Sequence, residues 1–117
     1  MDLEKRLNEL RTLYTNIQSK TLQDGTILLR INGIRLPQGC NPPATDFLIS
    51  FPPNQEVPNQ RWVKHQVKLP SGATPNFSPV MQDGETWYGY SYNFPWNPTD
   101  PIYVYVETAI QRFAKPN

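Results

Sequence analysis

Apolar side chains recur at helical spacing through the first twenty residues. They fall at steps of three and four residues, and charged residues occupy the face between them. The apolar positions are Leu3, Leu7, Leu10, Tyr14 and Ile17. Because an α-helix completes a turn in three to four residues, this pattern predicts an amphipathic helix over residues 1–20.

Between residues 24 and 72, apolar runs alternate with turn signals, which is typical of an antiparallel sheet. The predicted strands are Thr26–Ile31, Ile34–Leu36, Thr45–Phe51 and Gln60–Leu69. Asn32-Gly33 separates the first two, and this dipeptide favours a tight β-hairpin turn. Pro70-Ser71-Gly72 is a turn sequence that ends the last of these strands.

The apolar run near the C-terminus allows two interpretations. Residues 102–106 have a high strand propensity. Thr99 or Asp100, however, could cap a helix that holds Pro101 in its first turn. Five apolar positions would then share one helical face: Ile102, Val106, Ala109, Ile110 and Phe113. We therefore predict a C-terminal helix.

Thirteen prolines are spread along the chain and are not pooled in a linker. Proline is excluded from helix interiors and central strands, so its positions mark where elements end. No internal repeat or domain boundary is visible, and residues 1–117 are predicted to form one domain. The predicted fold class is α+β, with an N-terminal helix, an antiparallel meander of three to four strands, an irregular aromatic-rich segment and a C-terminal helix.

Composition excludes several classes of function. A net charge of +1 argues against nucleic-acid binding, and no apolar segment reaches the length of a membrane span. One histidine and one cysteine cannot supply the usual metal ligands, and no cofactor is expected.

The absence of a signal peptide and the single cysteine favour a reducing cytoplasm. The scattered basic residues indicate a solvated strand face: Arg30, Arg35, Arg61, Lys64 and Lys68.

The segment Trp87–Trp96 holds six of the fourteen aromatic residues of the chain. Rings at this density either close a core or line a binding site. We expect Trp87, Phe94 and Trp96 to pack, and Tyr88, Tyr90 and Ser91 to face a cleft. The candidate binding residues of the segment are Trp87, Tyr88, Tyr90 and Trp96.

Several short motifs resemble those of ubiquitin-conjugating enzymes. Residues 46–52, followed by a proline-rich loop, resemble the middle of such an enzyme, and Trp96-Asn97-Pro98 resembles its Trp-x-Pro before the next helix. Leu36-Pro37-Gln38-Gly39, Ala44-Thr45-Asp46 and the run from Thr86 to Ser91 are similar to motifs of a prokaryotic ubiquitin-conjugating-like family. The resemblance covers residues 25–113 and implies a ubiquitin-conjugating-like (UBC-like) fold.

The usual active-site cysteine of these enzymes is missing. No cysteine follows Asn41, so a thioester mechanism is not supported. Ser91 matches the serine of the prokaryotic family, and a serine hydroxyl can carry the modifier as an oxyester if a base and an oxyanion site lie nearby. Thr74-Pro75-Asn76 resembles the His-Pro-Asn of ubiquitin-conjugating enzymes, and this resemblance implies that Asn76 steadies an oxyanion. His65, the only histidine, is the candidate base.

Each of these residues has a simpler interpretation. Ser91 is then a polar residue in a strand or loop, and His65 is bonded to a neighbour. Cys40 is interpreted as an incidental free thiol, although its loop position allows a nucleophile. Asp83 and Glu85 precede the aromatic segment and could orient an amine or accept its proton.

The resemblance implies one of two functions in a bacterial ubiquitin-like modifier pathway. The first is a carrier or transferase that receives the modifier from an adenylating (activating) enzyme. The second is an inactive adaptor that binds the modifier or its activating enzyme. For either function, the resemblance implies a role in bacterial antiviral defence. In both, the N-terminal helix is the expected docking face for the adenylating enzyme. A third, unrelated interpretation is an interaction domain that recognises extended peptides.

Overall fold

The computed structural model describes residues 1–116 and begins with a short helix, α1 (Leu3–Arg11). Asp2 caps it, because its side chain accepts a hydrogen bond from the backbone N–H of Lys5 at 3.0 Å. The prediction of a helix over residues 1–20 is correct only for its first half. Residues Ile17–Thr21 form strand β1, since pairing with the next strand satisfies their backbone groups.

Six antiparallel strands form one sheet in the order β1-β2-β3-β4-β6-β5. The remaining strands are β2 (Ile27–Arg35), β3 (Ala44–Phe51), β4 (Gln60–Val63), β5 (Ser78–Gln82) and β6 (Glu85–Gly89). The sheet thus has more strands than the predicted three to four. The extra ones are β1 and the β5–β6 hairpin, whose turn at Asp83 and Gly84 has positive φ angles of 51° and 80°.

Asn32-Gly33 is not a hairpin turn. Both residues lie within β2, at a bulge where the pairing with β3 shifts between Ile31 and Ile34. The predicted turn is wrong because a β-bulge and a hairpin turn both use a glycine with positive φ, here +69°. The strand predicted over Gln60–Leu69 is also shorter, ending at Val63.

The C-terminal helix is confirmed, as α2 (Ile102–Ile110) followed by a short 3₁₀ turn over Gln111–Ala114. Its expected cap is wrong, since neither Thr99 nor Asp100 bonds to its first turn. The carboxylate of Glu9 in α1 accepts the Ile102 N–H at 2.9 Å instead. No helix within residues 1–116 is long and apolar enough to cross a membrane.

Both helices pack on one face of the sheet, and the main core lies between them. A second, smaller cluster occupies the other face: Leu28, Leu48, Trp62 and Trp87. The sheet curves around this cluster. The contact between its two edges shows this curvature, since Lys20 of edge strand β1 lies 2.5 Å from Asp83 beside edge strand β5. In a flat sheet, five strand spacings would hold those edges roughly 24 Å apart.

Candidate functional site

Asn76 and Ser91 line one cavity of about 300 Å³. The β5–β6 hairpin explains why they meet, since Ser78 pairs with Gly89 and the two residues lie just beyond this pair on either strand. Both side chains are exposed. The structure therefore brings together the two residues that the resemblance suggested for catalysis.

His65 lies elsewhere. Its Nδ1 is 2.8 Å from the hydroxyl of Thr45, in the irregular stretch that follows β4, and it lines neither of the cavities that Ser91 lines. The expected pairing of His65 with Ser91 is not formed, because the chain leaves the sheet after Val63. His65 corresponds to the simpler interpretation, a histidine bonded to a neighbour.

Arg112 is the charged residue of the Ser91 cavity. It lies in the 3₁₀ turn after α2, and its Nη1 atom is buried without a hydrogen-bond partner among residues 1–116. The sequence analysis missed this residue, because a single arginine at the end of an amphipathic helix usually lies in solvent. Only packing of that turn against the aromatic segment places it in a cavity.

Tyr90 forms the wall between this cavity and the core. Its hydroxyl donates a hydrogen bond to the Ala109 carbonyl at 3.1 Å, and its ring lies 4.9 Å from that of Phe113. Burial raises the pKa of Tyr90 well above its ordinary value, so the phenol stays protonated. Tyr90 is therefore a neutral wall and does not compensate the charge of Arg112.

Arg61 anchors the aromatic segment from inside. Its guanidinium lies 5.2 Å from the ring centre of Tyr90, 4.9 Å from that of Phe94 and 5.9 Å from that of Tyr105. It also donates hydrogen bonds to the Tyr92 carbonyl and, at 3.3 Å, to the Tyr105 hydroxyl. The prediction that Arg61 belongs to a solvated strand face is wrong, because aromatic faces attract a cation that is partly removed from water.

The rest of the aromatic segment is mostly packed. Trp96 packs edge-on to Tyr105 at 5.9 Å, and Trp87 is 1% exposed in the second cluster. Packing of Trp87, Phe94 and Trp96 is thus confirmed. The expectation that Tyr88 faces the cleft is wrong, since it packs edge-on to Phe77 at 6.3 Å and lines neither Ser91 cavity.

A larger groove of about 800 Å³ continues from the first cavity, and the two share Asn76, Tyr90 and Ser91. Its other walls are strand β5 and the β1–β2 turn, with Trp62 between them. Asp24 is the only charged side chain of the lining, and most of the remainder are hydroxyls and amides. The shape and chemistry fit an extended, uncharged chain.

Asp83 and Glu85 do not face Ser91. They line a separate cavity of about 210 Å³, where Asp83 pairs with Lys20. Glu85 pairs with Arg30 at 2.5 Å and with Lys64 at 3.2 Å. Both carboxylates therefore pair with basic side chains of the same chain. Neither lies where it could orient an amine at Ser91.

Arg30 and Lys64 cover the ring of Trp87 at 4.9 and 5.0 Å. Arg30 also bonds to Asp46 at 2.9 Å. Arg30 and Lys64 therefore belong to an internal charge network, contrary to the expectation that they lie on a solvated strand face. The network is balanced by carboxylates, so this face of the sheet has no excess charge for a ligand.

Cys40 is buried, and its thiol lies 3.3 Å from the carbonyl of Phe113. Burial raises the pKa of the Cys40 thiol, which disfavours the reactive thiolate. Within residues 1–116, no three His, Cys, Asp or Glu side chains lie together as a possible metal site.

Comparison of the chain with known protein families, with curated proteins and with solved structures found no match. The class of protein rests on the fold and the site alone. Together they define an α+β protein with a curved sheet and a surface groove that carries one charged side chain, Asp24, and leads to a cavity lined by Arg112.

Proposed function

We propose that this protein is a UBC-like adaptor in a ubiquitin-like modifier pathway, which holds the modifier in the Ser91 groove without forming a bond to it. One observation carries the choice of an adaptor over an enzyme: Ser91 shares its cavity with Asn76 and Arg112, whereas His65 is bonded to Thr45. A serine hydroxyl is a weak nucleophile unless a neighbouring base removes its proton.

The pathway assignment is supported by the motifs between residues 25 and 113 and by the order of elements, a helix, an antiparallel sheet and a final helix. In this proposal the adenylating enzyme docks on the outer face of α1, where Glu4, Lys5 and Asn8 are exposed. The pathway would operate in the bacterial cytoplasm.

A second candidate function is transfer of the modifier through an oxyester on Ser91. It is favoured by the exposed hydroxyl beside the Asn76 amide and the Arg112 guanidinium, since donors of this kind stabilise a developing oxyanion. The base would then have to come from the activating enzyme or from the acceptor.

One incubation separates the two functions. The protein is mixed with the ubiquitin-like protein and adenylating enzyme of its source organism, and with ATP. Binding of the modifier without any covalent adduct is the expected result. An adduct that resists thiols, is cleaved by hydroxylamine and disappears in Ser91→Ala would establish the transferase instead. If neither binding nor an adduct is detected, the pathway assignment is wrong.

A further inference from the structure

We infer that the Arg112 cavity binds the free C-terminal carboxylate of an extended peptide chain. The inference rests on the proposed function, because the tail of a modifier that is held without a bond still ends in a carboxylate.

Arg112 brings a positive charge to the cavity. Its Nη1 atom is buried and has no acceptor among residues 1–116, and no carboxylate lines the cavity. A buried donor on a cation that lacks an acceptor is costly. Arg112 lines the cavity, so an anion bound there would lie beside its guanidinium, and a planar carboxylate matches the fork of donors on that group.

The remaining lining of the cavity supplies further hydrogen-bond donors. Thr74 and Ser91 contribute hydroxyls, and Asn76 contributes an amide, so further donors surround the position of an anion. The phenol of Tyr90 is engaged with the Ala109 carbonyl and carries no charge. The guanidinium of Arg61 lies 5.2 Å from the ring centre of Tyr90 and adds a second positive charge near this wall. The cavity is therefore electropositive and rich in hydrogen-bond donors.

The cavity continues into the larger groove, and this continuation favours a peptide over a small anion as the ligand. Strand β5 is an edge of the sheet and forms one wall of that groove, so an extended chain in the groove would lie along this strand. Asp24 is the only charge along the lining. A ligand with an uncharged extended body and an anionic end fits both parts, whereas inorganic phosphate would use only the Arg112 end.

The test compares two forms of one short, uncharged, fluorescently labelled peptide with a small C-terminal residue, one ending in a free acid and the other in an amide. Fluorescence anisotropy should show the acid binding to the wild-type protein at least about tenfold more tightly than the amide. Arg112→Gln should abolish this difference, and Arg112→Lys should retain only part of it. Arg35→Gln, which removes an exposed arginine, should leave it unchanged.

The wild-type comparison needs no variant, so it remains decisive if Arg112→Gln fails to fold. Equal binding of the acid and the amide overturns the inference. So does phosphate that displaces the acid peptide completely at a concentration equal to that of the peptide, because the site would then be a simple anion site. If the acid peptide binds through Arg112 but no ubiquitin-like protein binds, the proposed function fails and this site stands. If the modifier binds equally well with a blocked C-terminus, the proposed function stands and this site fails.

Discussion

The Glu9 carboxylate of α1 accepts the backbone N–H of Ile102 at 2.9 Å and so caps α2 from a position early in the chain. The same oxygen accepts a hydrogen bond from Arg6 at 2.9 Å. The negative charge lies at the positive end of the helix dipole. One carboxylate thus joins the two helices that cover the sheet and orients the helix whose far end carries Arg112.

We expect Glu9→Ala to lower the free energy of unfolding by about 2 kcal/mol. The Ile102 N–H would lose its acceptor, and Arg6, which is 2% exposed, would lose its only carboxylate partner within residues 1–116. Urea unfolding measures the change. Glu4→Ala is the matched control, since its carboxylate is 72% exposed in a pair with Arg11, and its expected change is below about 0.5 kcal/mol. Equal losses in both variants would contradict the capping role.

Removing Arg61 should loosen the aromatic segment. Arg61→Ala would lose the hydrogen bond to the Tyr92 carbonyl and the contacts with three rings, which predicts a loss of about 2 kcal/mol in the free energy of unfolding. Amide hydrogen exchange over residues 90–94 should also become faster. Arg35→Ala removes an exposed arginine and should change neither quantity. Unchanged exchange in Arg61→Ala would show that the segment is held by packing alone.

Glu85 should make stability depend on pH. Hydrogen bonds from Arg30 and then from Lys64 hold the pKa of Glu85 below its ordinary value. The unfolded chain therefore takes up this proton at a higher pH than the folded protein. The stability that Glu85 contributes is fully present above its unfolded pKa of about 4.3 and is lost as the pH falls through the folded pKa.

Unfolding in urea across the range from about pH 6 to about pH 3 tests this dependence. The wild-type protein should lose more stability over that range than Glu85→Gln. Glu107→Gln, at an exposed position of α2 without an ion pair to residues 1–116, should follow the wild type. Parallel curves for wild type and Glu85→Gln would show that the network does not contribute to stability.

Cys40 should be unreactive in the folded protein. Its pKa is raised by burial, so the thiolate fraction near neutral pH is smaller than that of a free cysteine, and the sulfur is also shielded. Ellman's reagent should label it slowly in buffer and rapidly in denaturant. Labelling at the same rate in both conditions would show that Cys40 is an accessible nucleophile. Cys40 would then become a candidate carrier of the modifier. Cys40→Ser should leave any covalent adduct unchanged.

Local patterns were sufficient for part of the fold. The first half of α1, the cores of β2 and β3, and α2 follow from apolar spacing and turn residues close in sequence, because helices and strands bury one face each. The same applies to the neighbours of Ser91, since a dense aromatic segment must be at least partly packed. The resemblance in the motifs also placed Asn76 and Ser91 in one candidate site, and the two line one cavity.

Residue patterns along the chain thus predicted an α+β protein with a helix near each end, strands between them and an aromatic segment before the last helix. Long-range packing makes residues 17–21 a strand, turns Asn32-Gly33 into a bulge and curves the sheet so that Lys20 meets Asp83. It also placed Arg112 in the Ser91 cavity and His65 outside it. The physical reason is that backbone pairing and charge partners join residues far apart in the chain, and no local pattern of apolar and polar positions specifies them.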